Sequence, residues 1–202
     1  MEAQIFLMGG NPPIKNHTIV KKIVSSSKIE RIIIFTVYRE NWQPYMKKYT
    51  EVFQSHFSNL NTDYLLLDTE QINFDSYLDA EVIIIGGGNT EKYIATYVNQ
   101  EFKNYIKHML NKGAKVIGFS AGALLLGEKV YVSPNDNSDH QIKIKNGLGL
   151  FNQVLISVHY DSWNDKANKA RAEELVDVPI IPLNDRSCLV LDKSGNIIEK
   201  ID

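Results

Sequence analysis

A serine lies between two glycines in the stretch KVIGFSAGALLLG, which covers residues 115–127. The pentapeptide at 118–122 has the spacing G-x-S-x-G and follows an apolar run that is typical of a strand. At a junction from strand to helix, this spacing forms a sharp turn, the nucleophile elbow, which lifts the serine hydroxyl clear of the backbone. The following helix directs amide hydrogens towards an anion formed there. Ser120 is therefore the candidate nucleophile, and the alternative is a packing turn with an idle serine.

A serine needs a general base to act as a nucleophile near neutral pH, and histidine is the usual one. Four of the five histidines fall in helical patterns or in polar turns and loops, namely His17, His56, His108 and His140. His159 differs because it ends the apolar run VLISV. The end of a strand can reach the same edge of a sheet as the elbow, so we predict that His159 is the base.

A third group should orient the imidazole and offset the positive charge that it gains. Four aspartates are candidates by their position in the chain: Asp136, Asp139, Asp161 and Asp185. Asp161 would share a face with His159 if both residues lay in one strand, whereas the other three come from loops that could fold towards the site. The chemistry of the residues leaves this choice open.

The anion formed by attack of the serine needs at least two backbone donors. The amide of Ala121, directly after the nucleophile, supplies one by the geometry of the elbow. The run GGGN at 86–89 ends another apolar stretch and could supply the second, because glycines allow backbone to approach a substrate closely. A phosphate-binding loop is an alternative, but the run lacks the lysine of a P-loop and the spacing of a dinucleotide site. A plain turn at the end of a strand is the other alternative.

Short apolar runs alternate with helical patterns along most of the chain. Runs typical of strands occur at 4–10, 31–37, 63–68, 81–88, 115–119, 129–133 and 153–160, followed by a hairpin at 187–200. Helical periodicity marks 19–24, 42–60, 101–112 and roughly 164–176. Strands that are apolar on both faces indicate a sheet covered on both sides, and their alternation with helices indicates parallel crossovers.

The sequence therefore predicts an α/β fold, with a single-domain (1–202), open, mostly parallel sheet, helices on both faces and a C-terminal β-hairpin. In such sheets, ligands bind beyond the carboxyl ends of the strands. Three predicted strand ends are rich in glycine or turn-like, at 9–11, 86–89 and 118–120. We expect these three segments to converge on one edge of the sheet.

The composition is that of an ordinary globular protein, with 202 residues, 44% hydrophobic and 23% charged residues, and a net charge of −2. Lysines and arginines are scattered, so neither nucleic acid nor a membrane is an expected partner. The single cysteine, Cys188, excludes an internal disulfide and a cysteine-based metal site. The apolar part of MEAQIFLMGGN is too short for a signal peptide, and no run approaches the roughly 20 residues of a membrane span. We expect a cytoplasmic protein.

Three motifs taken in order, IIIGGGNT, IGFSAGALLLG and SVHY, resemble the dipeptidase E and cyanophycinase family of serine peptidases. The resemblance extends from the first glycine-ended strand to CLVLD near the end of the chain. It implies a class I glutamine amidotransferase-like fold with serine in place of cysteine. It also implies hydrolysis of a small peptide through an acyl-enzyme on serine, with no metal or organic cofactor, by a monomer or a homodimer.

The same resemblance implies roles for individual residues. Ser120 would be the nucleophile and His159 the base. Gly88 and Ala121 would donate to the oxyanion, and Gly87 and Asn89 would bind substrate.

The resemblance offers two positions for the acid. In dipeptidase E the acid belongs to an Asn-Asp pair shortly after the elbow, which Asn135-Asp136 matches here, although Asn137-Ser138 stands where Met-Pro tends to follow. In cyanophycinases an acidic residue precedes the last apolar strand, and Asp185 occupies about that place in PLNDRSCLVL. Asp136 is the predicted acid, and Asp185 is the alternative.

Dipeptidase E removes an N-terminal aspartate from dipeptides and carries a basic residue for the aspartate side chain. Arg171 in NKARAEEL is the candidate by position, and the alternative is an exposed arginine paired with a nearby acid such as Glu174. The resemblance thus predicts a serine exopeptidase that acts on short aspartyl peptides. Two other readings remain: a hydrolase of the same family with another substrate, such as a cyanophycin-like polymer or an ester, and a silent binding or sensor module on the same fold.

Overall fold

A computed structural model describes residues 2, 4–25 and 28–202, and a seven-stranded sheet runs through its centre. The strands are β1 (Ile5–Met8), β2 (Arg31–Phe35), β3 (Asn61–Leu65), β4 (Val82–Ile85), β5 (Lys115–Phe119), β6 (Lys129–Val132), β7 (Lys143–Asn146), β8 (Leu155–Ser157), β9 (Ile180–Pro182), β10 (Cys188–Leu191) and β11 (Ile197–Ile201). The helices are α1 (His17–Val24), α2 (Gln43–Gln54), α3 (Thr90–Tyr97), α4 (Gln100–Asn111), α5 (Ala121–Leu124) and α6 (Lys166–Glu173). Short 3₁₀ turns occur at Phe74–Tyr77 and Pro134–Asp136.

The strand order in the central sheet is β11-β10-β1-β5-β4-β2-β3. The five strands from β1 to β3 in this order pair in parallel, β10 is antiparallel to β1, and β11 is antiparallel to β10. The predicted α/β fold, with a mostly parallel sheet and a C-terminal hairpin, is therefore confirmed. The chain after the elbow forms two smaller sheets, in which β6 pairs with β7 in antiparallel and β8 pairs with β9 in parallel.

The central sheet is buried on both faces. In β4, Val82 and Ile84 belong to one apolar cluster, whereas Ile83 and Ile85 belong to the other, as the two-residue period of a strand requires. All four side chains are 0% exposed. The long apolar runs in the sequence arise because neither face of these parallel strands meets water.

Helices cover both faces of the sheet, as predicted. The buried hydrophobic residues of α1 and α2 join the cluster that contains Val82 and Ile84, and those of α3 and α4 join the cluster of Ile83 and Ile85. Asparagines cap three of these helices: Asn16 accepts from the amide of Thr18 at 3.0 Å, Asn89 from that of Lys92 at 2.8 Å, and Asn99 from that of Phe102 at 2.8 Å. The described part of the chain contains no helix that is both long and apolar enough to cross a membrane.

Several element boundaries differ from the sequence prediction. The helix α3 has no counterpart in that prediction, because its buried residues, Thr90, Tyr93 and Tyr97, all carry hydroxyl groups and do not form a purely apolar stripe. The strand expected at 153–160 is reduced to β8, because the chain turns at His159, whose φ is 52°. The third strand lies at Asn61–Leu65 rather than at 63–68, and β7 and β9 are short strands that the prediction did not contain.

Candidate active site

The carboxyl ends of β1, β5 and β4 are neighbours at one edge of the sheet. In the parallel register, Met8 pairs with Phe119 and Ile85 pairs with Gly118. The segments that leave these strands therefore start side by side. The expected convergence of the three glycine-rich or turn-like ends is confirmed.

The elbow holds Ser120 in a conformation that non-glycine residues rarely adopt. Its φ is 48° and its ψ is −112°, and such backbone strain is concentrated at functional sites in proteins. The neighbouring strand requires glycine nearby, because a Cβ at Gly122 would lie 2.2 Å from the backbone oxygen of Ile85. The amide of Ser120 donates to the carbonyl of Met8 at 3.1 Å. Close packing on β4 and this bond to β1 together fix the turn.

The structure brings His159 to the elbow. Its Nε2 lies 3.0 Å from Oγ of Ser120, and the two residues are only 6% and 5% exposed. The amide of His159 donates to the carbonyl of Gly9 at 2.8 Å, and its carbonyl accepts from the amide of Trp163 at 2.8 Å. The rings of His159 and Trp163 lie 4.6 Å apart between centroids. Two backbone hydrogen bonds of His159 and the contact with the ring of Trp163 thus fix the position of the imidazole.

The second nitrogen of His159 contacts a carboxylate. Its Nδ1 lies 2.5 Å from Oδ1 of Asp185. An ionised carboxylate can only accept, so the hydrogen of the neutral imidazole lies on Nδ1. Nε2 then presents a lone pair to the hydroxyl of Ser120. This order of groups, from hydroxyl to imidazole to carboxylate, is that of a serine–histidine–aspartate triad.

Glycines at the end of β1 allow Asp185 to reach this position. A Cβ at Gly9 would lie 2.3 Å from the backbone oxygen of Asn184, and a Cβ at Gly10 would lie 2.4 Å from that of Asp185. The segment that follows β9 therefore passes directly against the end of β1. Any larger residue at either position would push this segment, and the carboxylate that it carries, away from the imidazole.

Asp136, the predicted acid, lies elsewhere, and this part of the prediction is corrected by the structure. Its Oδ2 accepts from the hydroxyl of Thr90 at 2.5 Å, at the start of α3. The 3₁₀ turn is anchored by Ser133, whose Oγ accepts from the amide of Asn135 at 3.2 Å. This turn directs Asp136 towards α3 instead of towards His159. Burial raises the pKa of Asp136 to about 6, nearby Glu91 adds to the increase, and the bond from Thr90 opposes it.

The two remaining acid candidates have other surroundings. Asp139 pairs with Lys143 at 2.8 Å. Asp161 follows the turn at His159, so the two residues do not share the face of a strand.

The candidate oxyanion donors lie on either side of the serine. A Cβ at Gly87 would lie 3.3 Å from Cβ of Ser120, so the glycine loop passes directly beside the nucleophile. Among the described residues, none accepts a hydrogen bond from the amide of Gly88 or of Ala121. Neither amide is therefore committed to an acceptor within the described part of the protein, and Gly88 is exposed. Asn89 is engaged differently from the prediction, because its side-chain oxygen caps α3.

Two tyrosines position the glycine loop, and no feature of the sequence marked either as functional. The hydroxyl of Tyr49 accepts from the amide of Gly87 at 2.9 Å, and the hydroxyl of Tyr93 donates to the carbonyl of Gly87 at 3.3 Å. Burial raises the pKa of Tyr93 to about 12, so this hydroxyl keeps its proton at neutral pH. In the sequence, Tyr49 appears only as one member of an apolar helical face, where a tyrosine is typical of a core.

The comparison with known proteins agrees with this geometry. The chain matches the model of peptidase family S51 over residues 6–198. The chain belongs to peptidase family S51. The resemblance to the dipeptidase E family is therefore confirmed.

One curated relative is a Peptidase E from Actinobacillus pleuropneumoniae serotype 7 (strain AP76), 27% identical over 135 residues. This match covers 65% of the S51 chain and only 57% of that relative. Among solved structures, a peptidase from an acI-B1 Actinobacterium has a TM-score of 0.69 at 17% identity, covering 95% of this chain and 84% of the other. A candidate Peptidase E from Listeria monocytogenes EGD-e also has a TM-score of 0.69 at 17% identity, with 98% and 96% covered. These two structures support the shared fold.

The structure of this member of family S51 does not place Arg171 at the triad. The residue is exposed on α6 and lines a separate surface depression together with His140 and Glu174. Position in the sequence suggested Arg171 as a ligand for a substrate carboxylate. This prediction is corrected, because Arg171 lines one surface depression and His159 lines another.

A cleft of about 660 Å³ opens beside the triad. In addition to His159 and Asp185, its lining residues are Asn11, Pro12, Lys15, Ser162, Trp163 and Arg186. This volume lies within the range of about 300–1,000 Å³ that is usual for small-molecule sites. Lys15 and Arg186 could not be recognised in the sequence, because single exposed cations in loops form no distinctive pattern.

Proposed function

We propose that this S51 peptidase is a serine exopeptidase that cleaves short peptides with an N-terminal aspartate. The observation that carries the proposal is the continuous contact from Ser120 through His159 to Asp185, at 3.0 Å and 2.5 Å. Asp185, rather than Asp136, then acts as the acid of the triad. Small peptides are the proposed partners of the site.

The first half of the reaction acylates the serine. Nε2 of His159 takes the hydroxyl proton as Oγ of Ser120 attacks the scissile carbonyl carbon. The amides of Gly88 and Ala121 donate to the oxyanion of the tetrahedral intermediate. When the intermediate collapses, the protonated imidazole gives its proton to the leaving amine, and an ester on Ser120 remains.

The second half releases the acyl group. His159 takes a proton from water, whose oxygen attacks the ester carbonyl, and the same two amides stabilise the new oxyanion. Collapse breaks the bond to Oγ, and the proton returns from Nε2 to Ser120. Asp185 stays ionised throughout and stabilises the imidazolium that forms in each half.

The proposed preference for aspartate rests on similarity to the dipeptidase E family and to the Peptidase E of Actinobacillus pleuropneumoniae. That match covers 57% of the relative, so the preference needs its own test. The contacts of the triad are independent of this preference. They support a serine peptidase for any peptide that the cleft accepts.

A fluorophosphonate probe tests the chemistry of the site. We expect it to label the wild-type protein and the Ser55→Ala control, in which an exposed serine on another part of the surface is removed, and to spare Ser120→Ala. Equal labelling of wild type and Ser120→Ala would contradict the proposed nucleophile.

Dipeptide hydrolysis tests the proposed substrate. Asp-Leu, Glu-Leu, Asn-Leu and Ala-Leu differ only in the first residue, and we expect the highest kcat/KM for Asp-Leu. Comparable kcat/KM for Asp-Leu and Asn-Leu would contradict the preference for aspartate. Labelled protein that hydrolyses none of the four would contradict the exopeptidase activity.

A further inference from the structure

Two cations in the cleft are available to bind an anion. Lys15 lies in the loop between β1 and α1, Arg186 directly follows Asp185, and both are exposed. Within the described ranges, neither side chain forms an ion pair, and the carboxylate that lines the same cleft, that of Asp185, contacts His159 instead. Two cations share the cleft with one carboxylate, that of Asp185, so the lining carries a net positive charge.

The cleft adjoins the nucleophile on the side of the imidazole. Its lining includes His159, and Asn11 connects it to the elbow. A Cβ at Gly87 would lie 3.3 Å from Cβ of Ser120 and 3.7 Å from the side-chain oxygen of Asn11. His159 lines the cleft, and its Nε2 lies 3.0 Å from Oγ of Ser120, so the cleft begins one side chain away from the reacting hydroxyl.

The chemistry of the reaction decides which part of the substrate occupies this side. His159 must give a proton to the leaving amine, so the residue on the C-terminal side of the scissile bond has to lie against the imidazole. In a dipeptide, that residue carries a free α-carboxylate. A carboxylate so placed meets the lining of the cleft and not the glycine loop.

We propose that Lys15 and Arg186 bind the α-carboxylate of the leaving amino acid, in a subsite that requires a free C-terminus one residue beyond the scissile bond. A guanidinium binds a carboxylate through two parallel hydrogen bonds, and the ammonium adds a point charge. The ring of Trp163 forms an apolar wall for the side chain of the leaving residue. This inference rests on the proposed function, and it explains how a shallow site can select dipeptides over longer chains.

Paired substrates test the subsite by hydrolysis. Asp-Leu and its C-terminal amide, Asp-Leu-NH₂, differ in the charge at the position that Lys15 and Arg186 would contact. We expect the wild-type kcat/KM to be at least about tenfold higher for the free acid, because a hydrogen bond between charged groups is worth about 1.5–3 kcal/mol. Lys15→Gln and Arg186→Gln should lower kcat/KM for the free acid and leave that for the amide unchanged. Arg171→Gln, which removes an exposed arginine from the other depression, should change neither.

Product binding tests the subsite without turnover. NMR titration should show that the wild-type protein binds L-leucine and not L-leucinamide. The double variant Lys15→Gln/Arg186→Gln should lose L-leucine binding, and Arg171→Gln should keep it. This measurement separates the two proposals, because failure of the peptidase activity leaves binding of the product measurable.

Three results would overturn the subsite. The first is equal wild-type kcat/KM for Asp-Leu and its amide. The second is an equal decrease for both substrates in Arg186→Gln, which would indicate damage to the neighbouring Asp185 instead of loss of a carboxylate contact. The third is equal binding of L-leucine and L-leucinamide, which would overturn the subsite even if Asp-Leu were hydrolysed.

Discussion

The exchange Asp185→Asn removes the charge opposite Nδ1 of His159 and keeps the size of the side chain. In a serine–histidine–aspartate triad this exchange lowers kcat by about 10⁴, because the imidazole loses its preferred tautomer and the imidazolium loses its counter-charge. Here the Asp185 side chain is 50% exposed, while that of His159 is 8% exposed. Since water screens part of the charge, we expect kcat to fall by about 10²–10⁴.

Asp136→Asn is the matched control for this exchange. It makes the same chemical change, and the new amide oxygen can still accept from the hydroxyl of Thr90, which lies 2.5 Å from Oδ2. Because Asp136 is bonded to Thr90 and not to His159, we expect kcat to stay close to the wild-type value. The two aspartates thus offer one substitution with opposite expected outcomes.

The assay is initial-rate hydrolysis of Asp-Leu by both variants from pH 5 to pH 9, with near-ultraviolet circular dichroism as a check on folding. Our interpretation requires the large decrease in kcat in Asp185→Asn. If folded Asp136→Asn lost most of its kcat and Asp185→Asn kept it, Asp136 would be the acid of the triad. The contact at Nδ1 of His159 would then have no catalytic role.

Three further predictions concern stability and the two glycine loops. The pKa of Asp136 in the folded protein is raised from 3.8 to about 6. The protonated carboxyl therefore makes its full contribution to the free energy of unfolding below about pH 3.8, and this contribution is lost as the pH rises through 6. The contribution is at most about 3 kcal/mol. Asp136→Asn should remove that part of the pH dependence in urea unfolding, and an unchanged dependence would contradict the role of this carboxyl. Gly10→Ala places a Cβ 2.4 Å from the backbone oxygen of Asp185, so kcat should fall through displacement of the carboxylate from His159, and wild-type kcat would contradict this. Gly88→Pro removes the proposed oxyanion donor, and proline cannot adopt the φ of 157° seen here, so kcat should fall by about 10²–10³. A smaller loss in folded protein would argue for other donors.

The sequence alone determined the architecture and the two central groups of the candidate site. A fully buried strand such as Val82–Ile85 must be apolar at every position, so its burial is visible in the residues themselves. The elbow around Ser120 is a local motif, because the glycines that it needs lie two positions away. His159 could be singled out because it ends an apolar run. These properties depend on neighbours in the chain.

Only the tertiary structure decided which residues complete the site. Asp136 and Asp185 are both plausible in sequence, and the choice depends on the packing of residues 183–185 against Gly9 and Gly10. Helix α3 shows the same limit, because Asn89 reads as part of a glycine loop and in the structure caps a helix.

The same holds for the tyrosines that fix the glycine loop and for the cations of the cleft. Tyr49 contacts Gly87 across 38 positions of the chain, and Lys15 and Arg186 come together from opposite ends of it. Such contacts depend on how loops pack over the edge of the sheet. The spacing of residues along the chain determines which secondary structure forms and which of its faces is buried. It contains no information about which side chain from a distant part of the chain will contact a given residue.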